Sequence, residues 1–465
     1  MTLPDQDVRP PPGPRGGGTG RRRPPGPPRT AMPILLAGLA RDRLAVMRDA
    51  AARYGDAVRL PLGPTTLYFF NHPDHAKHVL ADNSVNYRKG IGLTHARRAL
   101  GDGLLTSEGE LWRRQRKAIQ PVFHARRMAG QATAIAEEAA GLVERLRAKA
   151  GQGPVDVRAE MTGLTLGVLG RALLDADLGA FGSVGEAFES VQDQAIFEMM
   201  SLSSVPSWLP LPKQRRYRRA RGYLDRVVGE LITQAGAHAG GDDVMARLLG
   251  SVRSAVDGRV IKSRLRDELV TLLLAGHETT ASTLSWAFHL IDRHPEVAAR
   301  LRAEAREVLG DRLPEYADLH RLTYTGRVIE EVMRLYPPVW ILPRLSLGED
   351  EIGGYHVPAG AKVMICPYTL HRDPRYWADP DRFDPDRFDT GRPGERPAYS
   401  YIPFGAGPRF CVGKNLGLIE AVFVLALVSR DLRLAALPGH RVRPEAMLSL
   451  RVRGGLPMNV RPASG

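Results

Sequence analysis

A cysteine inside a glycine-bracketed segment is the feature of this chain best suited to chemistry. Cys411 lies in segment 404–413, which reads FGAGPRFCVG, and an apolar helical pattern follows at once. A thiolate near the start of a helix is stabilised by the helix dipole. The glycines remove side chains, so the backbone can approach a flat ligand closely. Arg409 supplies a cation for a carboxylate on that ligand.

A second polar group interrupts the long apolar helical pattern Leu265–Arg293. It reads AGHETT from Ala275 onward. Interior Gly276 costs roughly 1 kcal/mol relative to alanine, and a buried Glu278 needs a partner or water. Thr279 can turn its hydroxyl onto a backbone carbonyl one turn back, and we expect this bond to open the helix locally. By itself the motif also suits a kinked core helix with a capped polar pair.

Two weaker patterns have helical spacing. Glu331 and Arg334 stand three residues apart on one helix face, where an exposed pair contributes only about 0.2–0.5 kcal/mol. Trp112 and Arg116 stand four residues apart on a basic helix and face the same way. Either pattern alone is typical of a solvated helix surface, so each gains meaning only beside the cysteine segment.

The composition is that of a globular chain in a reducing compartment. The 465 residues are 25% charged and 43% hydrophobic, which is ordinary for globular proteins. Only two cysteines are present, fewer than a secreted disulfide framework uses. Cys366 ends an apolar run and is expected to be a buried core thiol, so we expect no disulfide at Cys411.

The first thirty residues differ from the rest of the chain. Residues 1–30 are rich in proline, glycine and arginine and bury too little apolar surface to offset the entropy of ordering, which predicts a disordered tail. The net charge is +14, and Arg21–Arg23 could contact a polyanion, but we expect a solvated tail and no nucleic-acid partner. No stretch approaches the ~20 apolar residues of a membrane span, which predicts a cytoplasmic protein.

Helical patterns dominate the remainder, which we expect to form a single domain over residues 31–465. A short hairpin, Val58–Leu62 and Thr66–Phe70, precedes them, and short strands return near Ile352–His356 and Ala361–Cys366. The predicted helices are Leu111–Val122, Gly130–Ala150, Arg215–Ala237, Asp242–Leu249, Leu265–Arg293, Pro295–Leu309 and Gly326–Tyr336. This mixture indicates a mainly α fold with a small β portion.

Together the motifs resemble the cytochrome P450 family. Segment 404–413 matches the haem-binding loop FGxGxRxCxG at every defined position, and segment 275–279 matches the oxygen-binding groove [AG]Gx[DE]T. The resemblance covers Arg29 to Pro462. It implies the triangular, helix-rich P450 fold, in which haem lies between the long central helix and the helix after the cysteine loop.

The same resemblance implies roles for individual residues. The segment FDPDRF at 383–388 resembles the family's PERF-type segment, with Asp386 replacing the usual glutamate, and implies that Arg387 joins Glu331 and Arg334 in a buried ion network. The implied cofactor-binding residues are Trp112, Arg116, Ala275, Gly276, Arg344, Phe404, Gly405, Arg409, Cys411 and Gly413. The implied substrate pocket includes Leu104, Leu272, Ala275, Val339, Trp340 and Leu448.

The implied activity is that of a haem-thiolate monooxygenase using haem b and O2. Cys411 would be the iron ligand, whose thiolate favours O–O cleavage over reversible oxygen carriage, while Glu278 and Thr279 would deliver protons. No nicotinamide- or flavin-binding glycine fingerprint is present. Electrons from NAD(P)H are therefore expected through a ferredoxin reductase and a small acidic ferredoxin, or a flavodoxin-type donor, docking on a monomer.

The substrate is expected to be a lipophilic small molecule, because the implied pocket segments are largely aliphatic. The stretch Arg334–Pro374 is most similar to bacterial terpene-oxidising members, which suggests a terpenoid or another secondary metabolite. A macrolide or other polyketide stays open as a substrate. Two other functions also stay open: a peroxide-dependent haem-thiolate enzyme and a non-catalytic haem sensor.

Overall fold

The structure is a computed structural model and describes residues 21–174, 176, 178, 183–200, 211–237, 258–389 and 396–463. The α-helices described are α1 Met32–Arg41, α2 Arg43–Tyr54, α3 Pro73–Lys77, α4 Leu93–Leu100, α5 Gly109–Ile119, α6 Ala125–Ala148, α7 Val157–Leu169, α8 Val184–Met200, α9 Pro212–Ala237, α10 Gly258–Asp292, α11 Pro295–Leu309, α12 Thr323–Leu335, α13 Pro367–Leu370 and α14 Lys414–Asp431. The strands described are β1 Ala57–Leu62, β2 Thr65–Phe70, β3 Tyr87–Lys89, β4 Val155–Asp156, β5 Leu342–Ser346, β6 Asp350–Ile352, β7 Tyr355–Val357, β8 Lys362–Ile365, β9 Leu432–Ala436, β10 Pro444–Ala446, β11 Leu450–Val452 and β12 Pro457–Pro462. The helix predicted over Asp242–Leu249 lies outside the described residues.

The chain forms two compact units, each assembled from separate stretches. The first unit takes the described residues of 1–92, 339–382 and 394–411, and the second takes those of 93–338, 383–393 and 412–465. The prediction of one domain over 31–465 stays a prediction. The mainly α fold with a small β portion is confirmed, since helical residues far outnumber strand residues in the described part of the chain.

A five-stranded sheet with the order β1-β2-β8-β5-β3 forms the centre of the first unit. The predicted hairpin of β1 and β2 is confirmed, and its turn requires Gly63, whose φ is +64°. β8 lies parallel to β2 and antiparallel to β5. Residues at alternating positions of these strands, such as Phe70, Val363 and Ile365, bury one face of the sheet.

The strand predicted over Ile352–His356 is wrong as a single strand. The segment forms the hairpin of β6 and β7, with Ile352 opposite Tyr355. The turn consists of Gly353 and Gly354, both with positive φ (56° and 77°). Two consecutive glycines with left-handed backbone reverse the chain where an unbroken strand was expected.

The predicted disorder of residues 1–30 is wrong for the part that the structure describes, residues 21–30. The carbonyl of Arg22 accepts the amide of His356 (2.8 Å), and that of Pro25 accepts the amide of Arg59 (2.7 Å). Arg21 also pairs with Glu349 at 2.6 Å. Composition missed this order because a proline-rich chain keeps its carbonyls as acceptors for strand amides. Residues 1–20 lie outside the described residues.

The long helix α10 is the main element of the second unit. Its 35 residues correspond to a length of about 52 Å. It begins at Gly258, seven residues before the predicted start, and it is buried along much of its length. Helix α7 packs closely against it. A sheet with the order β4-β12-β9 and the hairpin β10–β11 complete this unit.

Candidate active site

The cysteine loop of the first unit is held by its own backbone. The amide of Cys411 donates to the carbonyl of Phe404 (3.0 Å), and the amide of Phe410 donates to that of Gly407 (3.0 Å). Gly405 and Gly407 both adopt positive φ (71° and 68°), which only glycine adopts at little cost. The loop thus folds back on itself and leaves the Cys411 side chain exposed.

Gly407 also packs against another segment of the first unit. A Cβ atom placed there would lie 1.8 Å from the carbonyl oxygen of Leu80, whereas one placed on Gly405 would meet nothing within 4 Å. Upstream of the loop, the His371 ring accepts the amide of Ile402 at 2.9 Å. The loop is therefore fixed at both ends of its glycine-rich part.

The two thiols of the chain occupy opposite environments and are not joined. Cys366 is fully buried, and its Sγ lies 3.2 Å from the carbonyl oxygen of Trp340. Burial raises the pKa of the Cys366 thiol to about 11. The prediction of a core thiol is confirmed for Cys366, and Cys411 is the thiol exposed for ligation.

Arg344 and Arg409 belong to the same unit as the cysteine loop. Arg344 lies on β5 and is 9% exposed, and its Nη1 donates to the carbonyl of Pro343 at 3.0 Å. The backbone of Gly90 approaches Arg344 so closely that a Cβ there would lie 2.8 Å from its nitrogen. Arg409 is half-buried within the short 3₁₀ turn Gly407–Arg409.

On α5 in the second unit, Trp112 and Arg116 share one helix face, as their spacing predicts. The Arg116 guanidinium lies 5.9 Å from the centre of the Trp112 ring, and both side chains are half-buried. Arg113, Arg114 and Lys117 are exposed on the same helix. A paired indole N–H and guanidinium can bind one carboxylate together.

The AGHETT motif occupies an unbroken stretch of α10. The Thr279 hydroxyl donates to the carbonyl of Ala275 at 2.9 Å, which is the predicted bond to the preceding turn. The helix nevertheless continues through the motif without interruption, so the expected local opening is wrong. The backbone keeps its helical pairing because a threonine hydroxyl can share a carbonyl with the helical amide. Ala275 is exposed although Leu272, Leu273 and Leu274 before it are buried.

Gly276 lies where two helices pack closely. A Cβ atom there would lie 2.5 Å from Cδ2 of Leu169 on α7. The absence of a side chain therefore lets α7 and α10 approach closely. This close packing accounts for an interior glycine that costs helix stability.

Glu278 has a specific partner that the sequence did not reveal. Its Oε1 accepts the hydroxyl of Ser449 at 2.6 Å. Its Oε2 lies 3.8 Å from Nε2 of His277. Burial lowers the pKa of His277, whose Nδ1 is bonded to the carbonyl of Leu273. In the neutral ring Nδ1 donates to this carbonyl, so Nε2 is an unprotonated acceptor, and it has no hydrogen-bond partner within the residues that the structure describes.

Ser449 is held in place by the turn before β11. The carbonyl of Leu450 accepts bonds from Ser282 (2.5 Å) and from the indole of Trp286 (2.9 Å), both on α10. The amide of Leu450 donates to the carbonyl of Pro338 at 2.8 Å. These bonds fix residues 449–450 against α10, one turn from the carboxylate that Ser449 orients.

A second acid beside the motif was also missed. Glu420 on α14 is 2% exposed, and Thr280 bonds one of its oxygens. Its Oε1 has no hydrogen-bond partner among the described residues. Burial raises the pKa of Glu420 well above its usual range, so burial favours the protonated, neutral form. A single acid within the apolar run 416–428 was the signal that could have identified it.

The structure brings Glu331, Arg334 and Arg387 together. Arg334 donates to both oxygens of Glu331 (2.7 and 2.8 Å), and both residues are fully buried. Arg387 approaches Glu331 at 3.3 Å, and the amide of Asp384 donates to the same oxygen. Asp386 points elsewhere and pairs with Arg300 at 2.8 Å. The substitution in the PERF-type segment therefore leaves the buried network intact.

The residues predicted to line a substrate pocket differ in exposure. In the second unit Leu104 and Leu448 are half-buried, and Leu272 is 9% exposed. In the first unit Val339 is half-buried, whereas Trp340 is 5% exposed. Because its side chain is buried, Trp340 is mainly a core residue of its unit. Its carbonyl also accepts the amide of Tyr368.

These residues fit a haem. The first unit presents an exposed thiol on a loop whose Gly407 packs against the backbone of Leu80. The same unit contains Arg344 and Arg409, which are cations suited to binding carboxylates. Taken by itself, the second unit contains the Trp112–Arg116 pair, and its helix α10 carries the exposed Ala275 near the Glu278–Thr279 pair in sequence. A thiolate ligand with several guanidinium groups is the donor set that a haem with two propionates requires.

Comparison with known proteins agrees with this donor set. The family model described as Cytochrome P450 matches residues 24–457. The chain belongs to the cytochrome P450 family. This P450 is 37% identical to cyclooctatin synthase of Streptomyces melanosporofaciens over 89% of this chain and 90% of that relative. It is 36% identical to cyclooctat-9-en-7-ol 5-monooxygenase of the same organism, over 83% and 84% of the two chains.

The chain is also similar to a third bacterial protein, whose name refers to a terpene. The P450 is 33% identical to pentalenene oxygenase of Streptomyces avermitilis over 86% of this chain and 89% of that protein. The chain is thus a cytochrome P450 monooxygenase that uses haem and O2, and such enzymes typically need a redox partner. Within the part of the chain that the structure describes, no helix is long and apolar enough to cross a membrane.

Proposed function

We propose that this P450 oxidises a lipophilic terpenoid with electrons from a separate donor protein. The similarity to cyclooctatin synthase and pentalenene oxygenase over more than four-fifths of the chain carries this proposal. The aliphatic character of Leu104, Leu272 and Leu448 supports it, because an apolar wall favours a ligand with few polar groups.

Cys411 is the residue that would bind the haem iron. The haem with its thiolate ligand supplies the activation of O2. The chain contributes a loop that leaves Cys411 exposed and holds its backbone by the Phe404 carbonyl. Arg344, Arg409 and the Trp112–Arg116 pair would bind the propionates by charge-assisted hydrogen bonds.

A spectrum tests this ligation directly. Reduced protein under carbon monoxide should show the absorption band typical of thiolate-ligated haem, and Cys411→Ser should abolish that band. The matched control is Cys366→Ser, which changes the buried thiol and should keep the band. A spectrum typical of histidine ligation in the wild type, or an unchanged band in Cys411→Ser, would overturn the proposal.

Glu278 and Thr279 would supply protons during turnover. The Thr279 hydroxyl is bonded to Ala275 and the Glu278 carboxylate to Ser449, so each donor group has a fixed orientation. Thr279→Ala should keep the haem spectrum while a larger share of the electrons appears as hydrogen peroxide. Equal peroxide release by the wild type and Thr279→Ala would count against this role.

The donor protein would be a small acidic ferredoxin or a flavodoxin-type protein, served by NAD(P)H through a reductase. The exposed cations Arg113, Arg114 and Lys117 on α5 support an acidic partner. The association rate with a ferredoxin should fall as salt rises, and it should fall further in a variant with Arg114→Ala and Lys117→Ala. A salt-independent rate would contradict this assignment. A monomer in a cytoplasmic location stays a prediction.

The substrate class is tested by spectral titration. A ligand that displaces water from the haem iron shifts the main haem absorption band. A panel should contain diterpene and sesquiterpene hydrocarbons, their alcohols, and macrolactones of similar mass. Shifts with terpenoids alone would support the proposal, and shifts with macrolactones alone would replace it by a polyketide-oxidising function. Product formed from peroxide without a donor protein would favour the peroxide-dependent alternative.

A further inference from the structure

A short turn of the second unit is bound to α10 by two neighbouring carboxylates. The amide of Asp102 donates to Oδ2 of Asp267 (2.8 Å), and the amide of Leu104 donates to Oε2 of Glu268 (3.0 Å). We call residues 101–104 the clamped turn, and Asp267 with Glu268 the carboxylate clamp. Hydrogen bonds from amides to carboxylates are stronger than those to neutral acceptors.

The backbone of the clamped turn lies directly against side chains and one carbonyl group of α10. A Cβ atom on Gly101 would lie 2.0 Å from the carboxyl group of Asp267. A Cβ atom on Gly103 would lie 2.1 Å from Oγ1 of Thr271 and 2.4 Å from the carbonyl oxygen of Asp267. Glycine at both positions is therefore a condition for the two amide bonds.

The clamped turn is also rigid within itself. The Thr106 hydroxyl donates to the carbonyl of Gly101 at 2.5 Å. The amides of Thr106 and Ser107 both donate to the carbonyl of Gly103, each at 2.9 Å. Nε2 of Gln115 on α5 donates to the carbonyl of Asp102 at 2.6 Å. Because these bonds connect the residues of the turn to one another, we expect the clamp to set the distance of the whole turn from α10.

The clamp lies next to residues assigned to the ligand space. Leu104 belongs to the turn, and Leu272 follows Thr271, against which Gly103 packs. Exposed Ala275 lies one helical turn after Thr271. Glu268 itself is 2% exposed, so its carboxylate acts within the protein rather than toward solvent.

We propose that Asp267 and Glu268 are positioning residues that set the largest ligand this P450 accepts. By holding the clamped turn on α10, they fix the position of Leu104 beside Leu272. Their loss lets the turn move outward and admits bulkier ligands. This inference rests on the proposed function, since it assigns Leu104 to the substrate pocket.

Two sets of variants test the clamp independently. One set removes the acceptors by Asp267→Ala and Glu268→Ala, alone and together. The other is Gly103→Ala, which keeps both carboxylates and pushes the turn from the helix, and which remains informative if loss of the acids impairs folding. Gly222→Ala on α9, where an added Cβ meets nothing within 4 Å, is the matched control. Glu144→Ala, an exposed acid paired with Arg147 on α6, controls for loss of charge.

Hydrogen exchange measures the clamp without turnover. In the haem-loaded full chain, the amides of residues 102 and 104 should exchange roughly tenfold or more faster in the variants that remove their acceptors and in Gly103→Ala, because each amide loses a charge-assisted hydrogen bond. Exchange at these amides should not change in Gly222→Ala or Glu144→Ala. Unchanged exchange in all the clamp variants would overturn the clamp.

Haem-binding imidazoles of increasing size measure the ligand limit. Imidazole, 4-phenylimidazole and clotrimazole are titrated into the ferric protein, and each Kd is read from the shift of the haem band. The affinity for clotrimazole relative to imidazole should rise at least about threefold in the clamp variants and in Gly103→Ala, but not in the controls. Faster exchange with an unchanged ratio would overturn the size limit. No shift with imidazole in the wild type would instead overturn the proposed function and the size limit with it, while exchange would still report the clamp.

Discussion

The cysteine loop of the first unit and the AGHETT motif of the second are built by different means. Backbone geometry holds the loop: two glycines with positive φ, and an amide bond from Cys411 to Phe404. Side-chain bonds from distant parts of the sequence hold the motif, since Ser449 bonds Glu278 and Glu420 bonds Thr280. The helical backbone of α10 itself is regular throughout.

This difference predicts how each region responds to mutation. In the loop, an added Cβ always costs the strain of a positive φ, and where another part of the chain lies close it also displaces that backbone. A side-chain partner can be shortened or neutralised while the helix persists, and the effect then scales with one hydrogen bond or one charge. Substitutions in the loop should therefore cost more than substitutions around the motif.

The largest effect is expected at Gly407. Gly407→Ala combines positive φ with a Cβ 1.8 Å from the Leu80 carbonyl oxygen, and we expect a loss of more than about 4 kcal/mol in unfolding free energy. Gly405→Ala has a similar φ but open space, so it should cost only about 1–2 kcal/mol. Urea unfolding and haem retention measure both. Equal stability of the two variants would show that backbone contact does not hold the loop.

The next largest effect is expected at Glu331, which belongs to a buried network of charged side chains. Glu331→Gln leaves the buried Arg334 guanidinium without its countercharge, which should cost about 3–5 kcal/mol. Asp386→Asn disturbs the exposed pair with Arg300 and should cost less than about 1 kcal/mol. Denaturant midpoints of both variants measure the contrast. A loss at Asp386 as large as that at Glu331 would contradict it.

Glu420 should give an effect that depends on pH. Burial raises its pKa in the folded state above the usual value of 4.5, so folding takes up a proton between these two values. Stability is fully present below pH 4.5 and falls as pH rises toward the raised pKa, by up to about tenfold in the folding constant per pH unit. Glu420→Gln lacks this loss, so in urea unfolding its stability relative to the wild type should increase as pH rises above 4.5. Parallel pH profiles would show that the acid is not buried as a neutral group.

The smallest effect is expected at Ser449. Ser449→Ala removes one hydrogen bond to Glu278, worth about 1 kcal/mol, and leaves the haem spectrum and the fold in place. Peroxide release should rise by a few-fold, less than in Thr279→Ala, and Ser449→Thr should restore part of the coupling by retaining a hydroxyl. No change in peroxide release, or a change as large as that of Thr279→Ala, would contradict a purely orienting role.

Much of the fold followed from local patterns. The hairpin at Gly63, the helix Pro295–Leu309 and the helix end before Pro337 depend on turn glycines, periodicity and proline, all of which act between near neighbours in sequence. The predicted single strand at 352–356 and the disordered residues 21–30 were wrong. Both errors arose because a pair of glycines and the carbonyls of a proline-rich segment found partners elsewhere in the first unit.

The amino-acid order alone determined which groups could react: a thiol in a glycine loop, an acid–hydroxyl pair in an apolar helix, and arginines at helical spacing. These are properties of contiguous segments, and local chain geometry specifies them. Only the tertiary structure decided which partners those groups have. Ser449 lies 171 residues from Glu278, and the clamp residue Asp267 lies 165 residues from Asp102. Such pairs carry no local signature, because they exist only once packing has brought distant segments within hydrogen-bonding distance.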